Sequence, residues 1–226
     1  MKKSVLFVLF AGILTQLSTF AQELSVEDSF LQESVEIQII RETAGSIDRE
    51  TKLQALDFIR KQLDANVRSP EIREILRDLA GQGTYRQEMV DGRLANRYTE
   101  VRIRAAEYLG EFPKEESAPL LCDILKTDKE PSVLTQVVYS LARTKAYDPL
   151  SEQTVEKYFR EFHHRKTPDN RLAAAVLEYY ANSPDPKPDF MWQTVRDISS
   201  RNANYAQNVR TIAQKLLTRM MEGRNK

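Results

Sequence analysis

The feature that most limits how this chain can fold is a recurring apolar pair, a small residue followed four positions later by a larger one. The pairs are Ala55/Ile59, Ala105/Leu109, Val137/Leu141, Ala175/Tyr179 and Ala213/Leu217. Residues at i and i+4 stand on one face of a helix. The small member permits a close helix crossing, and the larger one fills the space beside it. Successive pairs lie 50, 32, 38 and 38 residues apart, the period of stacked helical repeats.

A second apolar helical stretch precedes each pair. Phe30, Ile37, Ile40 and Ala44 precede the first, and Ile72, Ile75, Leu76 and Leu79 the second. Leu120, Leu121, Ile124 and Leu125 precede the third. Val155, Tyr158, Phe159 and Phe162 precede the fourth, and Met191, Trp192, Val195 and Ile198 the fifth. The segment Val35–Ile39 also alternates like a strand. Breakers separate the stretches: Gly45-Ser46, Pro131 at a helix opening, Thr167-Pro168-Asp169, and the connector Ser183–Pro188. The expectation is an all-α chain of about five helical hairpins. Each hairpin has an apolar face that only a stacked neighbour can bury.

Composition narrows the function. Seven Gly in 226 residues are too few for a β-rich chain of tight turns. The 33 Lys+Arg balance 33 Asp+Glu, so there is no overall pull towards nucleic acid, and none is expected as a partner. One Cys excludes an intramolecular disulfide framework and a cysteine-rich zinc site. Cys122 lies in an apolar helical stretch and reads as a core residue. The two histidines, His163 and His164, are adjacent. On a helix they point about 100° apart and chelate one ion poorly; they are expected to favour the negative end of a helix. The acidic pairs Glu27-Asp28 and Glu115-Glu116 read as helix starts. No Gly-rich phosphate loop, Ser-centred elbow or His-Glu-x-x-His run occurs. No catalytic, cofactor-binding or metal-ligating set is therefore assigned, and the expectation is a non-catalytic protein.

The amino terminus carries its own pattern. Lys2 and Lys3 precede the apolar run Val5–Leu14, and small residues stand at Thr19 and Ala21. The run is too short to span a bilayer. The layout predicts a signal peptide over 1–21, cleaved before Gln22, and a single domain over 22–226. The chain is then exported, to the periplasm or the outside, with no stable membrane insertion after cleavage.

The run Glu100-Val101-Arg102-Ile103-Arg104-Ala105-Ala106-Glu107-Tyr108-Leu109-Gly110 resembles the start of a second helix in the HEAT-repeat family. Asp128-Lys129-Glu130-Pro131-Ser132-Val133 is similar to the family's turn into that helix, and Asn204 through Arg210 is a weaker match. The resemblance implies a right-handed α-α superhelix, a HEAT-like solenoid. The family's Asp–Arg ladder is patchy here: no Arg stands at 134 after Asp128, and Asn96 and Asn204 precede Arg102 and Arg210. Family members commonly bind partners on the concave surface lined by their second helices. Here that row is Gln54, Asp57, Lys61, then Arg104, Glu107, Glu111, then Gln136, Tyr139, Arg143. The implied function is a scaffold or adaptor for a protein or peptide partner. The alternatives are a HEAT-like enzyme or maturation factor of lyase type, and a structural assembly subunit.

Residues 81–97 form an insertion between the two helices of the second hairpin and account for the 50-residue interval. It carries Tyr85, Arg86, Met89, Arg93 and Arg97, and Tyr and Arg are frequent interface anchors. These five, with Arg104, Glu107, Tyr139 and Arg143, are the candidate partner-binding residues. Arg86, Arg93 and Arg97 are expected to serve binding rather than folding.

Overall fold

The computed structural model describes residues 26–224. The expected signal peptide, 1–21, lies outside the described residues. The chain divides into two compact units, Met1–Ile39 and Ile40–Lys226. Helix α1 (Val26–Gly45) crosses that boundary. The alternating segment Val35–Ile39 is helical, and the strand alternative is not realised.

The second unit continues with α2 (Arg49–Asp64) and α3 (Pro70–Ala80), then the strands β1 (Met89–Val90) and β2 (Arg93–Leu94). After them come α4 (Thr99–Leu109), α5 (Lys114–Thr127), α6 (Pro131–Arg143), α7 (Pro149–His163), α8 (Asn170–Asn182), α9 (Asp189–Ser199) and α10 (Gln207–Arg224). The starts are written locally. Asp48 accepts from Thr51 N at 2.8 Å, Asp148 from Ser151 N at 3.1 Å and Asp169 from Leu172 N at 2.8 Å. Each satisfies an amide with no partner inside the helix. Proline opens α3, α6 and α7, where its missing N–H removes no helical bond.

The repeat pairs define the packing. α2, α4, α6, α8 and α10 follow one another as neighbours, and α3, α5, α7 and α9 each pack on the helix that follows. Ala55, Ala105, Val137, Ala175 and Ala213 are all fully buried along that row. Ile59, Leu109, Leu141 and Tyr179 are buried beside them. The last pair departs from the pattern: Leu217 is only partly buried, and Leu216 takes the core position. Within the second unit the result is an all-α solenoid, as the periodicity predicts.

The insertion is ordered around one side chain. Asn96 is fully buried; its Nδ2 donates to Arg86 O at 2.8 Å, and its Oδ1 accepts from Glu88 N at 3.1 Å. Those two bonds shape the chain into a hairpin in which Met89 faces Leu94 and Val90 faces Arg93. Its turn residues, Asp91 and Gly92, both have positive φ, the handedness that suits a two-residue hairpin.

Among the described residues no helix is long and apolar enough to cross a membrane.

Candidate functional site

The row of second helices presents a half-exposed face on which polar side chains from separate repeats meet. Arg104 of α4 reaches back to Asp57 of α2 at 2.5 Å and also donates to Tyr108 Oη at 3.1 Å. The guanidiniums of Arg60 and Arg104 both lie over the Tyr108 ring, 5.4 and 5.9 Å from its centre, within cation–π range. Arg60 also binds Glu111, just past the end of α4. Inter-repeat ion pairs therefore tie the face together between α2 and α4.

Further along, an open groove of about 380 Å³ crosses α4, α6 and α8. Glu107 lines it from α4, Gln136, Tyr139 and Arg143 from α6, and Glu178 and Asn182 from α8. Burial pushes the Tyr139 hydroxyl above its ordinary pKa, and the Glu178 carboxylate adds to the shift. The phenol stays protonated at neutral pH and can donate. The groove thus offers carboxylates, a guanidinium, amides and a phenol. This set binds polar groups of either sign and holds no nucleophile with an adjacent base.

The sequence-predicted residues fall into two sets. Glu107, Tyr139 and Arg143 are brought together in the groove, while Arg104 stands beside it in its ion pair with Asp57. The insertion residues lie elsewhere. Tyr85 donates to Arg77 O at 2.7 Å, and Arg86 pairs with Asp78, so both are engaged within the fold. Arg97 packs where the left-handed turn at Gly83 leaves no room for a side chain. Met89 is 60% exposed at the hairpin, and Arg93 stands opposite Val90. Sequence reasoning missed Glu178 and Asn182. The offsets that select Gln136, Tyr139 and Arg143 from Val137 lead in α8 to Ala174, Leu177 and Ala181. Leu177 is buried, and α8 turns the next positions, Glu178 and Asn182, to the groove.

A larger cavity of about 670 Å³ lies between the end of α1, α3 and the insertion. Three of its charges are held in ion pairs, Asp78 with Arg86 and Glu74 with Arg77. Gln82 lines it, with its Oε1 buried and without a hydrogen-bond partner among the described residues.

The histidines correct an expectation. His163 closes α7, as a dipole argument requires, but burial and the neighbouring His164 push its pKa down. Its Nδ1 meets Tyr205 Oη at 2.8 Å, so its burial and packing oppose the cationic form that a helix-end role would use.

Residues 87–178 match the family model of HEAT repeats. That stretch runs from the insertion to Glu178 in α8, and it contains every residue of the groove except Asn182. The match supports a HEAT-repeat family and, with the helix order, a helical scaffold of the kind that mediates protein interactions. Neither a curated protein nor a solved structure matches the chain.

Proposed function

We propose that this chain is a non-catalytic scaffold or adaptor that holds a protein or peptide segment in the groove across α4, α6 and α8. One meeting of residues carries the reading. Glu107, Tyr139 and Arg143 come from two repeats, yet they line one groove with Glu178 and Asn182 from a third. Mixed charge around a phenol ring suits a polypeptide, whereas a polyanion calls for a uniformly basic track. The HEAT match over the same residues supports a binding role. The amino-terminal pattern supports export, with action in the periplasm or outside after loss of residues 1–21.

The test is site-specific cross-linking in the native cell. A photoreactive aromatic residue replaces Tyr139, and a second variant carries it at the exposed Gln153 of α7. A defined adduct from position 139 alone, competed by excess unmodified protein, is the expected result. The same adducts from both positions would remove the groove from the reading. Amino-terminal sequencing of the native protein checks export and is expected to begin near Gln22.

A further inference from the structure

Beside the groove, three guanidiniums converge on one carboxylate. Arg60 binds Glu111 through both terminal nitrogens, Nη2 to Oε2 at 3.2 Å and Nη1 to Oε1 closer still, and it also holds Asp64. Arg68, in the loop between α2 and α3, points Nη2 at Glu111 Oε2 from 3.8 Å. Arg143, at the end of α6, points Nη1 at Oε1 from 3.9 Å. The last two separations lie outside hydrogen-bond range. Three cations thus share two carboxylates.

Arg68 is held in this pose by the backbone. Its Nε donates to the Glu111 carbonyl at 2.9 Å, and its Nη1 donates to Asn66 Oδ1. Asn66 itself has φ 64, a left-handed turn that asparagine tolerates better than most residues. The guanidinium is therefore oriented before any ligand arrives, so little side-chain freedom is lost on binding. Arg143 is half-exposed and also lines the groove, which makes the arginine cluster continuous with it.

We propose that Arg68 and Arg143 form a clasp for an aspartate or glutamate side chain of the bound segment, on a floor made by Arg60 and Glu111. The proposal rests on the groove reading above. Within the cluster around Glu111 one carboxylate matches the third cation, while Glu107 and Glu178 line the groove beyond Arg143. A phosphate dianion would set surplus negative charge against Glu111 and Asp64. The planar fork of arginine also matches a carboxylate edge with two parallel hydrogen bonds.

The full chain, labelled at arginine, is titrated with a hexaglutamate peptide, a hexalysine peptide and inorganic phosphate at physiological salt. Arginine Nε–H resonances report each guanidinium separately. Saturable shifts at Arg68 and Arg143 are expected with hexaglutamate alone. Arg143→Gln is expected to weaken that binding about tenfold or more with an unchanged melting temperature, since Arg143 makes only the long contact to Glu111. Arg68→Lys keeps the charge but loses the fork, and is expected to weaken binding as well. Equal shifts at the exposed Arg171, Arg196 and Arg201 would overturn the clasp, and so would phosphate binding as tightly as the peptide. If the arginines respond but position 139 cross-links nothing, the groove reading fails and the clasp stands. If cross-linking succeeds and the arginines stay silent, the clasp alone fails.

Discussion

Arg102 of α4 donates through Nε to Asp128 Oδ2 at 2.7 Å, and both side chains are fully buried. The other oxygen of Asp128 accepts from Glu130 N at 2.8 Å, in the turn that leads into α6. One carboxylate thus shapes the entry of a second helix and neutralises the arginine of the preceding repeat. Removing it leaves a buried cation without a counter-charge. Asp128→Ala is expected to cost about 3–5 kcal/mol in urea unfolding. Adding Arg102→Met is expected to recover much of that loss, because no buried charge then remains. If the double variant is no more stable than the single one, the ion pair is not the reason for the loss.

This rung also marks the limit of what the sequence made legible. A search for an Arg shortly after Asp128 finds none at 134, because its partner lies 26 residues earlier, in the previous repeat. Periodicity reports which face of a helix is apolar. It does not report which polar residue of one repeat meets which residue of the next. The four hairpins from α3 to α10 and the buried small residue of each pair were readable because burial repeats with the helix period. Glu178 and Asn182 were not, because α8 is turned by one position relative to α6. Leu217 was misjudged for a related reason: the fixed offset selects it at α10, but Leu216 is the residue on the buried face. The insertion was placed correctly between two helices. Its order could not be read, because it depends on Asn96, a polar residue that composition alone assigns to a surface.

The crossing of α4 and α6 gives a second test. Ser140 Oγ donates to Ala106 O at 2.8 Å. A Cβ added at Gly110 would lie 2.8 Å from Ser140 Cβ and 3.0 Å from its Cα. Backbone at that distance cannot step aside cheaply. Gly110→Ala is expected to destabilise by about 1–3 kcal/mol through overpacking, measured by chemical denaturation. An unchanged midpoint would show that the two helices separate freely at this point.

Alkaline pH gives a third. Tyr180 donates to Glu156 Oε2 at 2.6 Å, and Thr194 Oγ1 and Arg160 Nε reach the same carboxylate. Burial, and then Glu156, push the Tyr180 hydroxyl far above its ordinary pKa of about 10. Tyr179 and Tyr205 are raised as well, again mainly by burial. A raised folded-state pKa means that the unfolded chain loses its phenolic protons first. The contribution is therefore complete below about pH 10 and is lost as pH rises above it. The melting temperature is expected to fall steeply above about pH 10, with the tyrosinate absorbance of the buried Tyr179, Tyr180 and Tyr205 appearing only as the chain unfolds. Tyr180→Phe is expected to flatten that dependence. Tyrosinate signal in the folded protein at the same pH that is missing from Tyr180→Phe would contradict the burial argument.

The insertion separates a folding residue from exposed ones on the same hairpin. Asn96 satisfies Arg86 O and Glu88 N from inside the fold, and the neighbouring Ala95 N donates to Glu88 O at 2.8 Å. Replacing Asn96 by Ala leaves the half-buried Glu88 N without its partner and Arg86 O with Gly83 N alone, at a cost of about 1 kcal/mol. Asn96→Ala is expected to lower the melting temperature and to speed amide exchange at Glu88 and Ala95. Asn96→Asp keeps the acceptor for Glu88 N but sets a buried carboxylate against Arg86 O, and a loss at least as large as that of Ala is expected. Met89→Ser, at the exposed position of the same hairpin, is expected to change stability by less than about 0.5 kcal/mol. Hydrogen exchange read amide by amide distinguishes the cases. If Asn96→Ala exchanges like the unmodified protein across 86–95, the hairpin is held by its turn rather than by Asn96.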